Sequence, residues 1–270
     1  MMSEVKLSNH SPKRRVELAR DINRPKTTDF IDSLFDSFFE IRGDRSFGDD
    51  RSVICGLAEF YSVPVTVAGT VKSKTVQGNI DSNFGMASPE GYRKFIRAVL
   101  QAEKFRRPVI TFIDTPGAYP GIGAEERGQG EAIAKCLYTL SNLKVPVISV
   151  ITGEGGSGGA LALGLADRMI MLENSVFSIL SPEGFAAILW KDSKRADEAC
   201  EVMKLTAKDL YEFGIADRII KEPFQGAGFD PQPVMAELKK VLKEELDRLR
   251  QLNISEILRR RYRKYRNIGL

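Results

Sequence analysis

Two short runs of this chain have the composition of anion sites built from backbone. Gly153-Glu154-Gly155-Gly156-Ser157-Gly158-Gly159 follows the apolar, β-branched stretch Val145 to Thr152 and leads into Ala160-Leu161-Ala162-Leu163-Gly164. Thr115-Pro116-Gly117-Ala118-Tyr119-Pro120-Gly121-Ile122-Gly123 follows the similar stretch Pro108 to Asp114 and leads into Ala124 to Leu140. Each reads as buried strand, glycine turn and helix. Glycine lets N–H groups approach a ligand where a Cβ would clash, and N–H groups at a helix start lie at the positive end of its dipole, so both junctions suit negative charge. Two such units in succession imply parallel strands with right-handed crossovers, whose turns emerge side by side at the carboxyl edge of the sheet. The two helix starts should converge on one cleft.

Other routes to chemistry are sparse. His10 is the only histidine and lies in a polar stretch beside Ser11-Pro12, so a histidine base, a Ser-His triad or a histidine-rich metal site is not expected. Cys55, Cys136 and Cys200 are far apart and odd in number, which favours buried free thiols over disulfides or metal ligands. No metal is expected in this chain. Glu125, Glu126 and Arg127 read as caps or ion-pair formers at a helix start. Catalysis must then rest on backbone dipoles, other side chains or a partner.

The elements that would position the turns follow from spacing. The 270 residues are 43% hydrophobic and 28% charged, an ordinary globular composition long enough to bury a large core. No apolar run reaches the roughly 18 residues of a membrane span, and Met1-Met2-Ser3-Glu4 lacks the apolar core of a signal peptide; a cytoplasmic protein without membrane contact is expected. Apolar residues at 30, 31, 34, 35, 38 and 39 predict a helix from Thr28 to Phe39. Val53 to Phe60 and Val63 to Val71 read as strands joined at Tyr61-Ser62, followed by a polar loop from Lys72 to Phe84. Ser88-Pro89-Glu90 and Ser181-Pro182-Glu183 mark helix starts. The sheet should continue through Arg168 to Leu172, Val176 to Leu180 and Ala216 to Ile220. Helices are expected at Phe185 to Trp190, Asp197 to Leu205 and Ala207 to Phe213. From Pro233 onward a stripe of Val234, Leu238, Val241, Leu242, Leu246 and Leu249 predicts a long helix, with another from Ile254 to Tyr265.

Several motifs compete for the function. Gly153 to Gly158 fits the dinucleotide pattern G-x-G-x-x-G, and Glu173 ends the next strand where a ribose-binding acid would sit. The unit lies in mid-chain, however, and that reading leaves the first glycine junction unused. Asp114-Thr115-Pro116-Gly117 looks like a GTPase element, but no G-x-x-x-x-G-K-[ST] loop accompanies it. Met203-Lys204-Leu205 is like a biotinylation tripeptide placed in a helical stretch, where a structural role is preferred. The net charge of +4 is concentrated in Lys13-Arg14-Arg15 and in Arg259 to Arg266. A nucleic-acid-binding scaffold is the alternative these clusters raise, though solvated faces or subunit contacts account for them without a nucleic-acid module.

The run Ile113 to Gly128, with Gly153 to Ala160, resembles the two signatures of the alpha subunit of bacterial acetyl-CoA carboxylase carboxyltransferase. The resemblance extends through Gly43-Asp44-Arg45, Asn83-Phe84-Gly85-Met86, Pro89 to Lys94, Ser181 to Gly184, Ile188 to Lys191 and Arg260-Arg261-Tyr262. It departs at Thr70 to Thr75, where no ligand role is carried over, and in a shorter N-terminus. The resemblance implies an α/β fold of the ClpP/crotonase type, a spiral of ββα units with flanking N- and C-terminal helices. One domain is expected over 1–270, with an extension over 1–27, a crotonase-like core over 28–232 and C-terminal helices over 233–270.

It also implies a transferase that is half of an enzyme, completed by a zinc-ribbon beta subunit in an α2β2 assembly. The carboxyl group of carboxybiotin, carried on the biotin carboxyl carrier protein, passes to acetyl-CoA to give malonyl-CoA for fatty acid synthesis. Biotin is supplied in trans, and ATP is used by the biotin carboxylase component and not by this chain. The beta subunit mainly holds acetyl-CoA, and this chain mainly receives carboxybiotin. Backbone N–H groups of Gly158 and Gly159 would form an oxyanion hole for the biotin ureido oxygen, with Gly155 and Gly156 shaping the turn. Gly117, Tyr119, Gly121 and Gly123 would shape the opposite wall of the substrate site. The ureido group itself would then serve as base, consistent with an active site that lacks histidine.

Overall fold

The computed structural model describes residues 7–269. Met1 to Lys6 and Leu270 lie outside it, and with them the start Met1-Met2-Ser3-Glu4. The chain opens with α1 (Pro12–Ala19), α2 (Thr27–Leu34) and β1 (Ser37–Glu40), followed by the hairpin β2 (Val53–Phe60) and β3 (Val63–Thr70). Next come α3 (Val76–Asp81), α4 (Pro89–Lys104), β4 (Val109–Thr115), α5 (Ile122–Glu126), α6 (Gln129–Asn142), β5 (Val147–Gly156) and α7 (Ser157–Gly164). The remainder is β6 (Arg168–Leu172), β7 (Val176–Ser178), α8 (Pro182–Trp190), α9 (Ala196–Val202), α10 (Ala207–Glu212), β8 (Arg218–Ile220), α11 (Gln232–Arg250) and α12 (Ile254–Arg266).

The strands form one sheet in the order β1-β2-β3-β4-β5-β6-β8, with β7 paired to the end of β5. β1, β2 and β3 are antiparallel, and from β3 onward every pairing is parallel. Because β4 and β5 are covered on both faces, each is a continuous apolar run instead of an alternating one. Val109, Ile113, Val147 and Ile151 point into a core under α4, α6 and α7. Ile110, Phe112, Ile148 and Val150 point into a second core under α2 and α11. The strand order follows the chain without reversal, so the carboxyl ends of β4 and β5 lie side by side, as the repeated unit predicts.

The structure differs from the sequence reading in several places. The helix predicted to Phe39 stops at Leu34, because Ser37–Glu40 pairs with Gly56–Glu59; Phe38 and Phe39 fit both periods, and the exposed β2 edge decides. The single helix expected from Ala124 splits into α5 and α6 at Gly128, which sits at φ +84. The polar loop after β3 contains α3, capped by Thr75. Within the described part of the N-terminal extension, Ser11 caps α1, and Arg15 is buried, donating to Glu173 O at 2.8 Å and Asn174 Oδ1 at 3.0 Å. β7 is shorter than expected and pairs with β5 instead of extending the edge.

The C-terminal helices close the second core and clamp the start of β5. Arg261, 1% exposed, meets Asp167 at 2.7 Å and donates to the carbonyls of Leu140, Leu143 and Val145. Asp167 also accepts the Val147 N–H at 2.8 Å. Removing the guanidinium leaves a buried carboxylate and three buried carbonyls without their partner. Arg261→Leu should therefore cost about 3–5 kcal/mol of stability in urea unfolding, whereas Arg259→Leu on the exposed face should cost under about 1 kcal/mol.

Candidate active site

At the carboxyl edge the register of β4 and β5 breaks. Ile113 pairs with Ile151, but Thr115 pairs with Gly155, so β5 carries extra residues across from Asp114. The Asp114 carboxylate fills the bulge. Its Oδ1 accepts the Glu154 N–H at 3.0 Å, and a Cβ at Gly153 would lie 2.5 Å from that oxygen, so only glycine fits there. The Asp114 N–H donates to Thr70 Oγ1 at 2.8 Å, which ties β4 to the end of β3.

A chain of charges continues from this carboxylate. Lys72 Nζ lies 2.8 Å from Asp114 and 3.0 Å from Glu154, with side chains 15%, 2% and 13% exposed for Lys72, Asp114 and Glu154. Arg20, at the end of α1, contacts Glu154 at 2.7 Å and Glu183, in the first turn of α8, at 2.7 Å. Burial works against the charges on Lys72 and Asp114, but the pair outweighs it: Lys72 is held above the ordinary lysine value by Asp114 and Glu154, and Asp114 below the ordinary carboxylate range by Lys72. The hydrogen bond from Arg20 draws Glu183 down to about 2 against its partial burial. Beside this chain, Arg24 donates to Thr152 O and to Glu222 at 2.5 Å, both side chains being almost fully buried. The segment after β3, the ends of β4 and β5 and the start of α8 are thereby held by ion pairs to one another and to the N-terminal segment.

On this base the two glycine turns touch, backbone against backbone. A Cβ at Gly156 would lie 2.1 Å from Pro116 O, and one at Gly159 would lie 2.5 Å from Ala118 N and from the Gly117 carbonyl carbon. A Cβ at Gly155 would meet the Phe177 ring at 2.5 Å. These three glycines are therefore required for packing. Gly158 differs, because its nearest neighbour beyond the turn is Ile133 Cγ2 at an ordinary 3.5 Å. Ser157 is exposed at φ +58 and turns the chain from β5 into α7, whose first N–H groups have no side-chain cap. The Gly117 N–H turns inward to Thr115 Oγ1 at 3.1 Å, and that hydroxyl donates back to Gly117 O. The Tyr119 ring lies over Gly121, where a Cβ would sit 2.3 Å from it, and Gly123 faces Arg127. Of the expected site residues, Gly117, Gly156 and Gly159 meet at one point with Gly155 and Gly158 beside it, whereas Tyr119, Gly121 and Gly123 form a separate loop behind the first turn.

The crevice on the α1 side of the second turn, between Arg20, Glu154 and Pro182, holds about 20 Å³, room for about one water. Among the described residues no group of histidine, cysteine and acidic side chains could hold a metal. No helix among them is long and apolar enough to cross a membrane.

The sequence comparisons with known proteins agree on one family. Residues 2–269 match the family described as acetyl co-enzyme A carboxylase carboxyltransferase-like. The acetyl-coenzyme A carboxylase carboxyl transferase subunit alpha of Clostridium acetobutylicum is 57% identical over 259 residues, covering 96% of this chain and 94% of that one. The chain belongs to the acetyl-CoA carboxylase carboxyltransferase alpha-subunit family. A protein of Natranaerobius thermophilus named as subunits beta/alpha is 55% identical over 96% of this chain, which covers 43% of that longer protein. Among solved structures, transcarboxylase 12S superposes with a TM-score of 0.66 at 20% identity, over 90% of this chain and 46% of that one. The chain thus spans about half the length of that structure and shares its crotonase-type fold. The family's reaction is biotin-dependent carboxyl transfer to acetyl-CoA, and an alpha subunit works with a beta subunit.

The competing motifs have structural roles in this member of the family. Glu173 is 2% exposed and its carboxylate accepts the Ser8 hydroxyl at 2.7 Å and the Glu222 N–H at 3.0 Å, so it is not available to a ribose. The sheet also lacks the reversal of strand order at which dinucleotides bind. Of the basic clusters, Lys13, Arg14, Arg259, Arg260, Arg261 and Lys264 are paired with acids. The charge chain from Lys72 to Glu183 has no signal in local sequence. Lys72 has the same polar surroundings in sequence as Lys74, and only the fold distinguishes them.

Two outcomes follow. Gly156→Ala and Gly159→Ala should prevent stable folding or lower the unfolding midpoint sharply, whereas Gly158→Ala should leave it nearly unchanged in urea titration. The Glu183 pKa is depressed in the folded chain, so its contribution is present above the ordinary value of 4.5 and lost as pH falls toward about 2. Glu183→Gln should flatten that acid limb of the stability profile.

Proposed function

We propose that the start of α7 is the oxyanion hole that receives carboxybiotin, with the Gly158 N–H as an open donor and the Gly159 N–H beside it. The supporting observation is that the two glycine turns pack directly on each other while α7 begins uncapped and Gly158, unlike Gly156 and Gly159, meets only the Ile133 side chain at an ordinary contact distance. Gly155 and Gly156 set the exit angle of β5. Gly117 is the seat of the first turn, and Tyr119, Gly121 and Gly123 shape the wall behind it. The ligand side matches the ureido group: a planar oxygen acceptor needs converging N–H donors, and an exposed helix start supplies them without a side chain in the way.

Carboxybiotin, when bound, supplies the activated carboxyl group and a basic ureido nitrogen. This chain's residues bind the ureido oxygen and hold the two turns in register through the charge chain. In this reading the partner is a zinc-ribbon beta subunit in an α2β2 assembly that holds acetyl-CoA, and biotin arrives on the biotin carboxyl carrier protein, with biotin carboxylase and its ATP chemistry elsewhere in the complex. The chain acts as one carboxyltransferase unit over 1–270 in the cytoplasm. Substitution of Gly158 by proline removes one donor within the first turn, where helices tolerate that residue. In the combined alpha and beta subunits, malonyl-CoA-dependent carboxylation of biocytin should fall by about 10²–10³ in Gly158→Pro. Activity within about threefold of the parent would contradict the assignment, because loss of a donor costs far more.

A further inference from the structure

At the other end of the sheet, the amino ends of β4 and β5 meet the turn between α11 and α12 across a groove of about 540 Å³. Its size is that of a small-molecule site, and it lies away from the glycine turns. One part of its wall is aliphatic, formed by Val63, Pro64, Leu252 and Ile254. Four cations open on it: Arg106, Arg107, Lys144 and Arg250. Arg106, Lys144 and Arg250 make no ion pair among the described residues, although the basic clusters at both ends of the chain are largely paired. Arg107 bonds only to neutral oxygens, Thr66 Oγ1 and Gln101 Oε1, each at 3.2 Å. The neighbouring carboxylate, Glu103, accepts the backbone N–H of Lys144 at 2.8 Å. Four like charges gathered around one groove repel each other, and an anion between them relieves that repulsion.

We propose that this groove binds an anion with an aliphatic tail, its carboxylate or phosphate head held by Arg106, Lys144 and Arg250 and its tail laid over Val63, Pro64, Leu252 and Ile254. A bare anion would leave the aliphatic wall in water, and an uncharged hydrocarbon would leave the cations without a partner. A nucleotide base is a poorer fit, because the Phe105 ring is already approached by Arg107 at 5.1 Å and Lys104 at 5.8 Å.

The test is calorimetric titration of the combined alpha and beta subunits with dodecanoate and with dodecyl phosphate, below their micellar range. Inorganic phosphate and dodecanol serve as controls. Saturable binding of either dodecyl anion is expected, with the controls weaker by about tenfold or more, and the tighter of the two anions identifies the head group. Lys144→Glu combined with Arg250→Glu should raise Kd by about tenfold or more, and Ile254→Asp should weaken the dodecyl anions without strengthening inorganic phosphate. Neither change should alter basal carboxyl transfer. The proposal is overturned if no saturable binding occurs, if inorganic phosphate binds as tightly as the dodecyl anions, or if Kd is unmoved by the charge reversals.

Discussion

Asp114 is a carboxylate with almost no access to water, and the carboxyl edge of the sheet is arranged around keeping it charged. An isolated buried carboxylate would cost several kcal/mol and would protonate instead. Here the β5 bulge supplies an N–H, Thr70 fixes the backbone, and Lys72 supplies the countercharge. Lys72 in turn requires Glu154, Glu154 is shared with Arg20, and Arg20 reaches Glu183. No pair in this series is complete without the next. That is why the N-terminal segment, remote in sequence from both glycine turns, is built into the site.

The consequence for chemistry is positional. Backbone N–H groups stabilise a developing anion only when they are aimed at it before the reaction, and they have no side-chain freedom with which to adjust. The glycines of the two turns divide accordingly. Gly156 and Gly159 lack a Cβ so that one turn can lie on the other, and Gly153 lacks one so that Asp114 can enter the bulge. At Gly158 a Cβ would meet only the Ile133 side chain, at an ordinary 3.5 Å. In the proposed function, a chain with a single histidine places its chemistry in peptide groups, and its charged side chains hold those groups in place.

Much of this was legible in sequence because it is local. The paired strand–turn–helix units, the hairpin at Tyr61-Ser62 and the proline-marked helix starts at Ser88 and Ser181 follow from short-range pattern, and the structure carries all of them. Where pattern was ambiguous, tertiary context decided: Phe38 and Phe39 satisfied a helical period, yet the edge of β2 drew them into a strand. The charge chain had no local signal at all. Its members come from α1, the loop after β3, β4, β5 and α8, and a buried lysine reads in sequence like an exposed one. The glycine run marked the second turn, but composition alone did not separate Gly156 and Gly159, which have no room for a Cβ, from Gly158, which has.

The most direct test of the account is kcat for malonyl-CoA-dependent carboxylation of biocytin in Lys72→Met, measured with the beta subunit at a temperature where circular dichroism shows the variant folded. Lys72 donates to Asp114 and Glu154 and makes no hydrogen bond to the start of α7 or to the first glycine turn, so its hold on the turns runs through those two carboxylates. If that hold sets the two turns, kcat should fall by about 10²-fold, the effect of a misplacement of about 1 Å, while KM for malonyl-CoA changes little. A folded Lys72→Met variant with the kcat of the parent would contradict the account.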